Sequence, residues 1–480
     1  MSAQRQSRFE QGDDVVVMKF GGTSVEDAVA IRRLIEIVQS RLEQQLVVVV
    51  SALARVTDQL LEAGKAAANG HLGAALATVR TIYVRHEQLA DSLVTGSAYG
   101  SLDRPLRLEF RALEALLHAL ETSRELDLKQ QDRLLGFGES FSSRLVSEAL
   151  AEAGIQSAHV DARQCIVTDE RHGQASPDWE VTNQRLQDTL GPLLSSGMVA
   201  VLGGFIASTA DGVPTTLGRG GSDFSAAIVG AAMGAARVEI WTDVDGVMTT
   251  DPKLCPDARV IRRMSFDEAA ELAHCGAKVL HPATLAPAMR ENIPVYVLNS
   301  RRPEGEGTEI ASRTSSGNRV SAITAKRNIV AVEISSAKGI DASLLNRVFS
   351  AFDEHSSTVD VMGTSVGRVS LLVASSAALP AIVADLQGAA DVRWENHRAL
   401  VCLIGENIRR QPEVASRVFG AVSDMDVRVQ CQGASDRTIS FLVDESKVEE
   451  SVQRLHRAFF PKVEPVRDWG GISSAFCQAG

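Results

Sequence analysis

Three short stretches gather residues suited to holding anions. "TTLGRGGSDFSAA", Thr215 to Ala227, sets Arg219, Ser222 and Asp223 among Gly218, Gly220 and Gly221, ahead of a small apolar run with helical character. A guanidinium is a planar fork matched to a carboxylate, a serine can cap a helix, and an aspartate in the first turn complements the helix dipole. As a surface ion pair, Arg219 and Asp223 are worth at most ~1 kcal/mol, and that reading leaves the glycines unexplained. "MKFGGTSV" places Lys19 at a strand end and Gly21 and Gly22 in the turn before a helix. Glycine lets backbone N–H groups approach a phosphate, and lysine adds a mobile charge. Neither a Walker loop nor a G-x-G-x-x-G fingerprint is present, and alone the stretch reads equally as a plain strand-to-helix turn. "VLGGFIAS" repeats the device at Gly203 and Gly204. Three such strand ends in one sheet would meet at its carboxyl edge, where open α/β sheets bind ligands.

Two further stretches carry weaker signals. "WTDVDGVMTTDPK" offers Asp243, Asp245 and Asp251, but the register is not that of an EF-hand, and Asp-Gly and Asp-Pro are ordinary turn formers. "HCGAKVLHP" holds His274, Cys275, Lys278 and His281; nothing else supports a Cys/His nucleophile there, and packing explains it as well.

The elements that must position these residues follow from hydrophobic periodicity. "DVVVMKF" is a β-branched strand, followed by Ile31, Leu34, Ile35, Val38 and Leu42 at helical spacing, with Ser24 and Asp27 spaced as a capping box. Buried strands are expected again at "LVVVVSAL", "GMVAVLGGF", "ARVEIWTDV" and "IPVYVLN", with helices between them and a helical insertion over 72–130. Alternation of this kind predicts a three-layer α/β domain around a mainly parallel sheet. "NSRRPEGEGTEIASRTSSGNR" then reads as an exposed connector. Beyond it a β-α-β-β-α rhythm occurs twice in tandem, from "IVAVEIS" and from "ALVCLIG". The expected division is a polar leader 1–14, an α/β domain 15–305, a linker 306–324, two repeat modules at 325–395 and 396–462, and a C-terminal segment 463–480.

Composition narrows the function class. The 480 residues are 45% hydrophobic and 23% charged with a net charge of -11, ordinary for a globular protein and wrong for a general nucleic-acid binder. The six cysteines lack CxxC spacing. That pattern predicts no disulfide framework and a reducing compartment. No stretch is apolar enough for a signal peptide or a membrane span, so a cytoplasmic location with no membrane partner is expected.

In their order and separation, "VMKFGGTSV", "VVVSALARVTDQLL", "GFGESFSSRL", "TTLGRGGSDFSAA", "IWTDVDGVMTTDPK" and "GAKVLHPATLAPAMRENIPVYVLNS" resemble the aspartate kinases of the amino-acid kinase superfamily. The tandem repeat resembles their paired ACT regulatory domains, and the likeness, which runs from about Val15 to Phe460, implies an amino-acid kinase catalytic domain over 15–305 followed by two ferredoxin-like βαββαβ ACT domains. It implies transfer of the ATP γ-phosphate to the side-chain carboxylate of L-aspartate, giving 4-phospho-L-aspartate, the first step towards lysine, threonine, methionine and diaminopimelate. A carboxylate of pKa ~4 is already ionised at neutral pH and needs no general base, so the chemistry requires cations and aligned donors instead.

Matched position by position, the resemblance implies that Lys19 neutralises the transferring phosphoryl group and that Phe20, Gly21 and Gly22 line the phosphates. Arg219 would clamp the α-carboxylate. Glu139 and Asp223 would face the ammonium or order cations, while Ser51, Thr57 and Ser222 contact the substrate. Thr242, Asp243, Met248, Lys253, Lys278 and Val279 would surround the nucleotide, with Mg2+ carried on the ATP phosphates and no protein metal site. Asp58, Met248 and Lys253 stand where the family usually has asparagine, tyrosine and arginine, which implies altered affinity. Lysine is placed ahead of threonine as the ACT effector, although Val366 stands where an acidic residue would meet a lysine amine. A homodimer or higher homo-oligomer is the expected assembly. The alternatives are another acid kinase of the superfamily, or an amino-acid sensor that has lost catalysis.

Overall fold

The computed structural model describes residues 14–277, 282–312, 320–336, 339–431 and 435–461. They form two compact units. One takes the chain up to Thr249 with Arg259–Ala322 and Ile404–Glu406, and the other takes Thr250–Ala258, Ile323–Leu403 and the chain from Asn407.

The strands of the first unit are β1 (Val15–Phe20), β2 (Gln45–Val50), β3 (Ser157–Val160), β4 (Val167–Thr168), β5 (Val199–Gly203), β6 (Ile206–Thr209), β7 (Pro214–Thr216), β8 (Arg237–Thr242), β9 (Arg263–Ser265), β10 (Val295–Asn299) and β11 (Thr308–Ala311). Among the described residues, eight of them form one sheet in the order β3-β5-β2-β1-β8-β10-β11-β9. The pairs β1–β2, β1–β8, β2–β5, β3–β5, β8–β10 and β9–β11 are parallel, and only β10–β11 is antiparallel. Every residue of β1 is buried, the mark of a strand covered on both faces. The helix Ala28–Gln39 packs Ala30, Ile31, Leu34, Ile37 and Val38 inward. Within the insertion, helices Leu72–Leu93, Gly96–Ser123 and Leu128–Leu135 form as the periodicity requires. Phe110 stacks on Phe141 with ring centroids 4.1 Å apart.

The charge inside β8 has a structural purpose. Glu239 is 2% exposed and answered by Arg41 at 3.0 Å, Arg237 at 2.8 Å and the Trp241 indole N–H at 3.0 Å. A buried carboxylate tolerates such a position only with partners of this kind.

Three sequence expectations change. Asp27 caps the helix Ala28–Gln39, accepting from the Ala30 amide at 2.8 Å, whereas the Ser24 hydroxyl meets that of Ser300 at 2.8 Å, so no Ser24–Asp27 capping box forms. The third glycine stretch follows β7, which pairs with β6 in a separate sheet ordered β4-β6-β7, because the β6–β7 hairpin folds away from the main sheet. The segment expected to be a linker over 306–324 contains β11, which closes the main sheet against β9 and β10.

The second unit is built on β12 (Ala322–Ser335), β13 (Val359–Ser365), β14 (Arg368–Ala374), β15 (Asp391–Ile404), β16 (Arg428–Cys431) and β17 (Thr438–Asp444), ordered β13-β14-β12-β15-β17-β16. The two βαββα repeats therefore share one sheet, side by side, with β12 and β15 as its middle strands. Each of these long strands contains a left-handed residue, Asn328 at φ 57° and His397 at φ 58°. Val348 and Phe352 of the helix Ala342–Glu354 pack on Val330, Val332 and Leu371 to form the core of the first repeat.

Candidate active site

The chain leaves β1 towards β2 on one side and reaches β8 on the other, so β1 sits where the strand order reverses. That switch point is where an open α/β sheet leaves a crevice beyond its carboxyl ends. A cavity of about 360 Å³ occurs there, lined by the end of β1 (Lys19, Gly22), the segment after β2 (Ser51 to Arg55, Thr57, Asp58), Glu139, Phe205 after β5, and the turn after β7 (Gly218, Gly220 to Asp223).

Lys19 is the penultimate residue of β1 and is 9% exposed, its stem surrounded by sheet and helix. Its Nζ lies 2.6 Å from Asp223 Oδ1, in the first turn of the helix Gly221–Met233. A charge-assisted contact this short fixes the ammonium at the helix entrance. Two backbone features bring that helix in. Gly220 precedes it at φ 72°, a left-handed conformation that glycine adopts freely. Gly204 allows close approach, since a Cβ there would lie 2.7 Å from Ser222 Cα. Ser222 consequently sits inside the first turn and lines the cavity; it is not the N-cap its position predicted, a place Gly220 takes.

Glu139 forms the floor. It is 4% exposed, its Oε1 accepts from the Ala52 amide at 3.1 Å, and its Oε2 has no hydrogen-bond partner among the described residues. Burial pushes its carboxyl up to about 8, against the opposing pull of the Ala52 amide and of Lys19. Near neutral pH the carboxyl therefore holds a proton for much of the time. An incoming cation would displace that proton and take up Oε2.

Of the residues expected at a substrate and phosphoryl site, Lys19, Gly22, Ser51, Thr57, Glu139, Ser222 and Asp223 meet around this one cavity. Gly21 lies beside it, its amide donating to the Trp241 carbonyl at 3.0 Å. Phe20 does not line the cavity, its fully buried ring being stacked on Trp241. Arg219 is exposed on the turn between Gly218 and Gly220, and its side chain does not line the cavity. Thr242 and Asp243 lie at the carboxyl end of β8, next to β1, and Met248 pairs with Val260 in an isolated bridge; none of the three lines the cavity. Lys253 belongs to the segment that groups with the second unit, where its amide donates to Asp251 Oδ1 at 2.8 Å. Lys278 and Val279 lie outside the described residues. Cys275 is buried, and the His274 ring contacts the Ala270 carbonyl at 2.8 Å, an ordinary helix-end arrangement.

Three contributors escaped sequence reasoning. Phe205 holds φ 65° against the glycine-rich turn, its amide donating to Ser225 Oγ at 2.9 Å and its carbonyl accepting from Leu217 N at 2.9 Å. Arg55 lines the cavity at φ 73°. Asp132, 1% exposed, accepts from Thr216 Oγ1 at 2.5 Å and the Gly173 amide at 3.0 Å, and meets His172 Nδ1 at 2.8 Å, pinning the strand that feeds the turn. No local pattern in "LKQQDRLL" marks that aspartate.

Residues 14–299 match the family model described as the amino acid kinase family, well over half of the chain. The chain belongs to the amino acid kinase family. Residues 401–459 match the ACT domain. Lysine-sensitive aspartokinase 3 of Escherichia coli is 36% identical over 457 residues, covering 93% of this chain and 99% of that one. Chloroplastic aspartokinase 2 of Arabidopsis thaliana is 33% identical over 463 residues, covering 92% and 84%. Among solved structures, E. coli aspartokinase III in complex with aspartate and ADP (R-state) superposes with a TM-score of 0.80 at 33% identity, covering 93% of this chain and 100% of that one. The same enzyme in complex with lysine and aspartate (T-state) gives 0.79 at 34%, covering 93% and 99%. This amino acid kinase is thus an ATP-dependent kinase of the aspartokinase type with an ACT regulatory region.

Proposed function

We propose that this amino acid kinase phosphorylates the side-chain carboxylate of L-aspartate with ATP, releasing 4-phospho-L-aspartate and ADP, at the cavity between Lys19 and Glu139. The observation that carries the reading is the opposition of a Lys19–Asp223 pair to a buried carboxylate with a free oxygen in one small cavity. An amino-acid dicarboxylate needs this distribution of charge, with a cation for the reacting end and an acceptor for the ammonium.

The substrate carboxylate is its own nucleophile, so the protein's work is alignment and charge neutralisation. Glu139 Oε2 receives the substrate ammonium, Arg219 folds in from its turn to hold the α-carboxylate, and Ser51, Thr57 and Ser222 orient the side chain. Lys19, steered by Asp223, stands at the carboxyl end of β1 and answers the negative charge that develops on the transferring phosphoryl group. Gly21 and Gly22 admit the phosphates, and Thr242 and Asp243 at the neighbouring strand end take the nucleotide, with Met248, Lys278 and Val279 as further contacts. Among the described residues no group of three His, Cys, Asp or Glu side chains is arranged to hold a metal ion. Mg2+ would arrive on the nucleotide phosphates and offset their charge there, with Asp223, beside Lys19, as the carboxylate that would order it.

The regulatory reading is feedback inhibition by an aspartate-family amino acid at the ACT region, lysine ahead of threonine, in a cytoplasmic homodimer or higher homo-oligomer feeding lysine, threonine and diaminopimelate synthesis. The names of the E. coli relative and of its lysine complex support lysine. Val366, fully exposed in the turn between β13 and β14, offers no charge to a lysine amine and weighs the other way. Among the described residues no helix is long and apolar enough to cross a membrane. ADP release dependent on L-aspartate, followed while lysine, threonine and both together are titrated, tests the regulatory reading; a flat response to all three removes feedback control.

A further inference from the structure

The wall of the cavity formed after β2 contains a residue whose backbone is strained and whose charge has no assigned use. Arg55 immediately precedes the helix Val56–Ala68 at φ 73°. A residue with a Cβ adopts this left-handed region at a cost of ~1–2 kcal/mol and keeps it only where its neighbours dictate it. Here they do. The Ala54 amide donates to Gly22 O at 3.1 Å, the Ala54 carbonyl accepts from Arg85 Nη1 at 2.8 Å, and the Val56 amide donates to Leu53 O at 2.9 Å. Arg85 also reaches the Glu26 carbonyl at 2.7 Å, tying this turn to the segment beyond β1.

The charges facing the cavity show what the arginine is free to do. Its lining carries two cations, Lys19 and Arg55, and three acids, Asp58, Glu139 and Asp223. Lys19 is committed to Asp223. Arg55 makes no ion pair among the described residues, and it shares its wall with Ser51, Thr57 and Asp58. A dicarboxylate entering beside Asp58 meets a like charge, and Arg55, three residues earlier at the start of the same helix, is the cation placed to offset it.

We propose that Arg55 is a substrate-binding residue that receives a carboxylate of L-aspartate and compensates Asp58, so that the two form a coupled pair setting amino-acid affinity on this wall. The inference rests on the aspartate kinase reading and deepens it. A guanidinium supplies two parallel donors to a carboxylate, which an ammonium cannot, so Arg55→Lys restores charge and only part of the binding. The wall belongs to the amino-acid side, since Thr242 and Asp243 at the end of β8 lie outside the cavity.

The test titrates L-aspartate calorimetrically into wild type, Arg55→Gly, Arg55→Lys, Asp58→Asn and Arg55→Gly/Asp58→Asn, alongside KM for L-aspartate and for ATP. Glycine removes the guanidinium and suits φ 73°, so its Tm is expected at or above that of wild type, which separates lost binding from lost folding. Arg55→Gly is expected to weaken L-aspartate by about 10-fold or more while KM for ATP moves by less than about 3-fold, and Asp58→Asn in that background is expected to recover most of the loss. Unchanged L-aspartate binding in Arg55→Gly, a loss falling on ATP instead, or strictly additive effects overturns the assignment. Wild type that binds L-aspartate without phosphorylating it removes the kinase reading and leaves the Arg55 test intact. Wild type that fails to bind it removes both.

Discussion

Lys19 Nζ and Asp223 Oδ1 lie 2.6 Å apart, joining the central strand of the main sheet to the first turn of the helix Gly221–Met233. In the proposed mechanism the two side chains act as one device, the lysine supplying the charge and the aspartate setting where it points. Lys19→Ala is expected to lower kcat by ~10²–10³-fold, the usual effect of removing a preorganised charge from a transition state. Its effect on stability is expected to be small beside that loss. Asp223→Asn is expected to reduce kcat as well, and the double variant to be scarcely worse than Lys19→Ala, because residues acting as a unit are not additive. Steady-state kinetics with parallel urea unfolding checks this, and near-full turnover in Lys19→Ala removes the lysine from the mechanism.

Glu139 links binding to protons. Its carboxyl, pushed up to about 8 by burial, is protonated in the folded protein and ionised in the unfolded chain over the window from about 4.5 to about 8. Its contribution to stability is therefore fully present at low pH and is lost as pH rises through that window. Urea midpoints at pH 5, 6.5 and 8 are expected to fall more steeply in the wild type than in Glu139→Gln. On the proposed role of Glu139, an arriving ammonium ionises the group, so L-aspartate binding near pH 7 is expected to release a fraction of a proton. Calorimetry in buffers of differing ionisation enthalpy reads that proton, and its absence from the wild type speaks against Glu139 as the ammonium acceptor.

His86 gives the opposite slope. It is fully buried against Phe110 and Phe141, and burial lowers its imidazole to about 4. The unfolded chain binds the proton first, so the stability it contributes is present above pH 6.5 and lost towards pH 4, on the order of 3 kcal/mol in all. His86→Phe is expected to flatten the acid limb of the stability curve while leaving kcat alone. An unchanged acid limb would mean that the ring is protonated at little cost.

Asp132 positions the glycine-rich turn without touching the cavity. Its contacts to Thr216, Gly173 and His172 hold the end of β7 two residues before Gly218. Asp132→Asn leaves donors facing a donor, at a cost of roughly 1–3 kcal/mol in stability. Because Arg219 sits on that turn, KM for L-aspartate is expected to rise by about 10-fold while KM for ATP changes little. Equal shifts in both constants would point to general loosening of the fold.

Much of this was readable in the sequence, and the exceptions share a cause. The apolar strands β1, β2, β5, β8 and β10 announce themselves because a sheet covered on both faces needs near-continuous hydrophobic runs, and glycine turns mark the ends of β1 and β5. Motif order singles out Lys19, Glu139 and Asp223, which meet around one cavity. It does not single out Asp132 and Glu239, because a buried carboxylate is defined by partners distant in sequence. Arg55 and Phe205 were missed because positive φ is imposed by tertiary hydrogen bonds and leaves no trace in a non-glycine residue type. That the two repeats share one sheet is not legible locally, because the pairing of β12 with β15 joins residues far apart in sequence.

Trapping the acyl phosphate with hydroxylamine in the presence of Mg-ATP and L-aspartate tests the central claim most directly. The site described here predicts aspartyl hydroxamate in step with ADP, dependent on L-aspartate and lost in Lys19→Ala. No hydroxamate above background, or product only with a different acid such as glutamate or acetylglutamate, contradicts it.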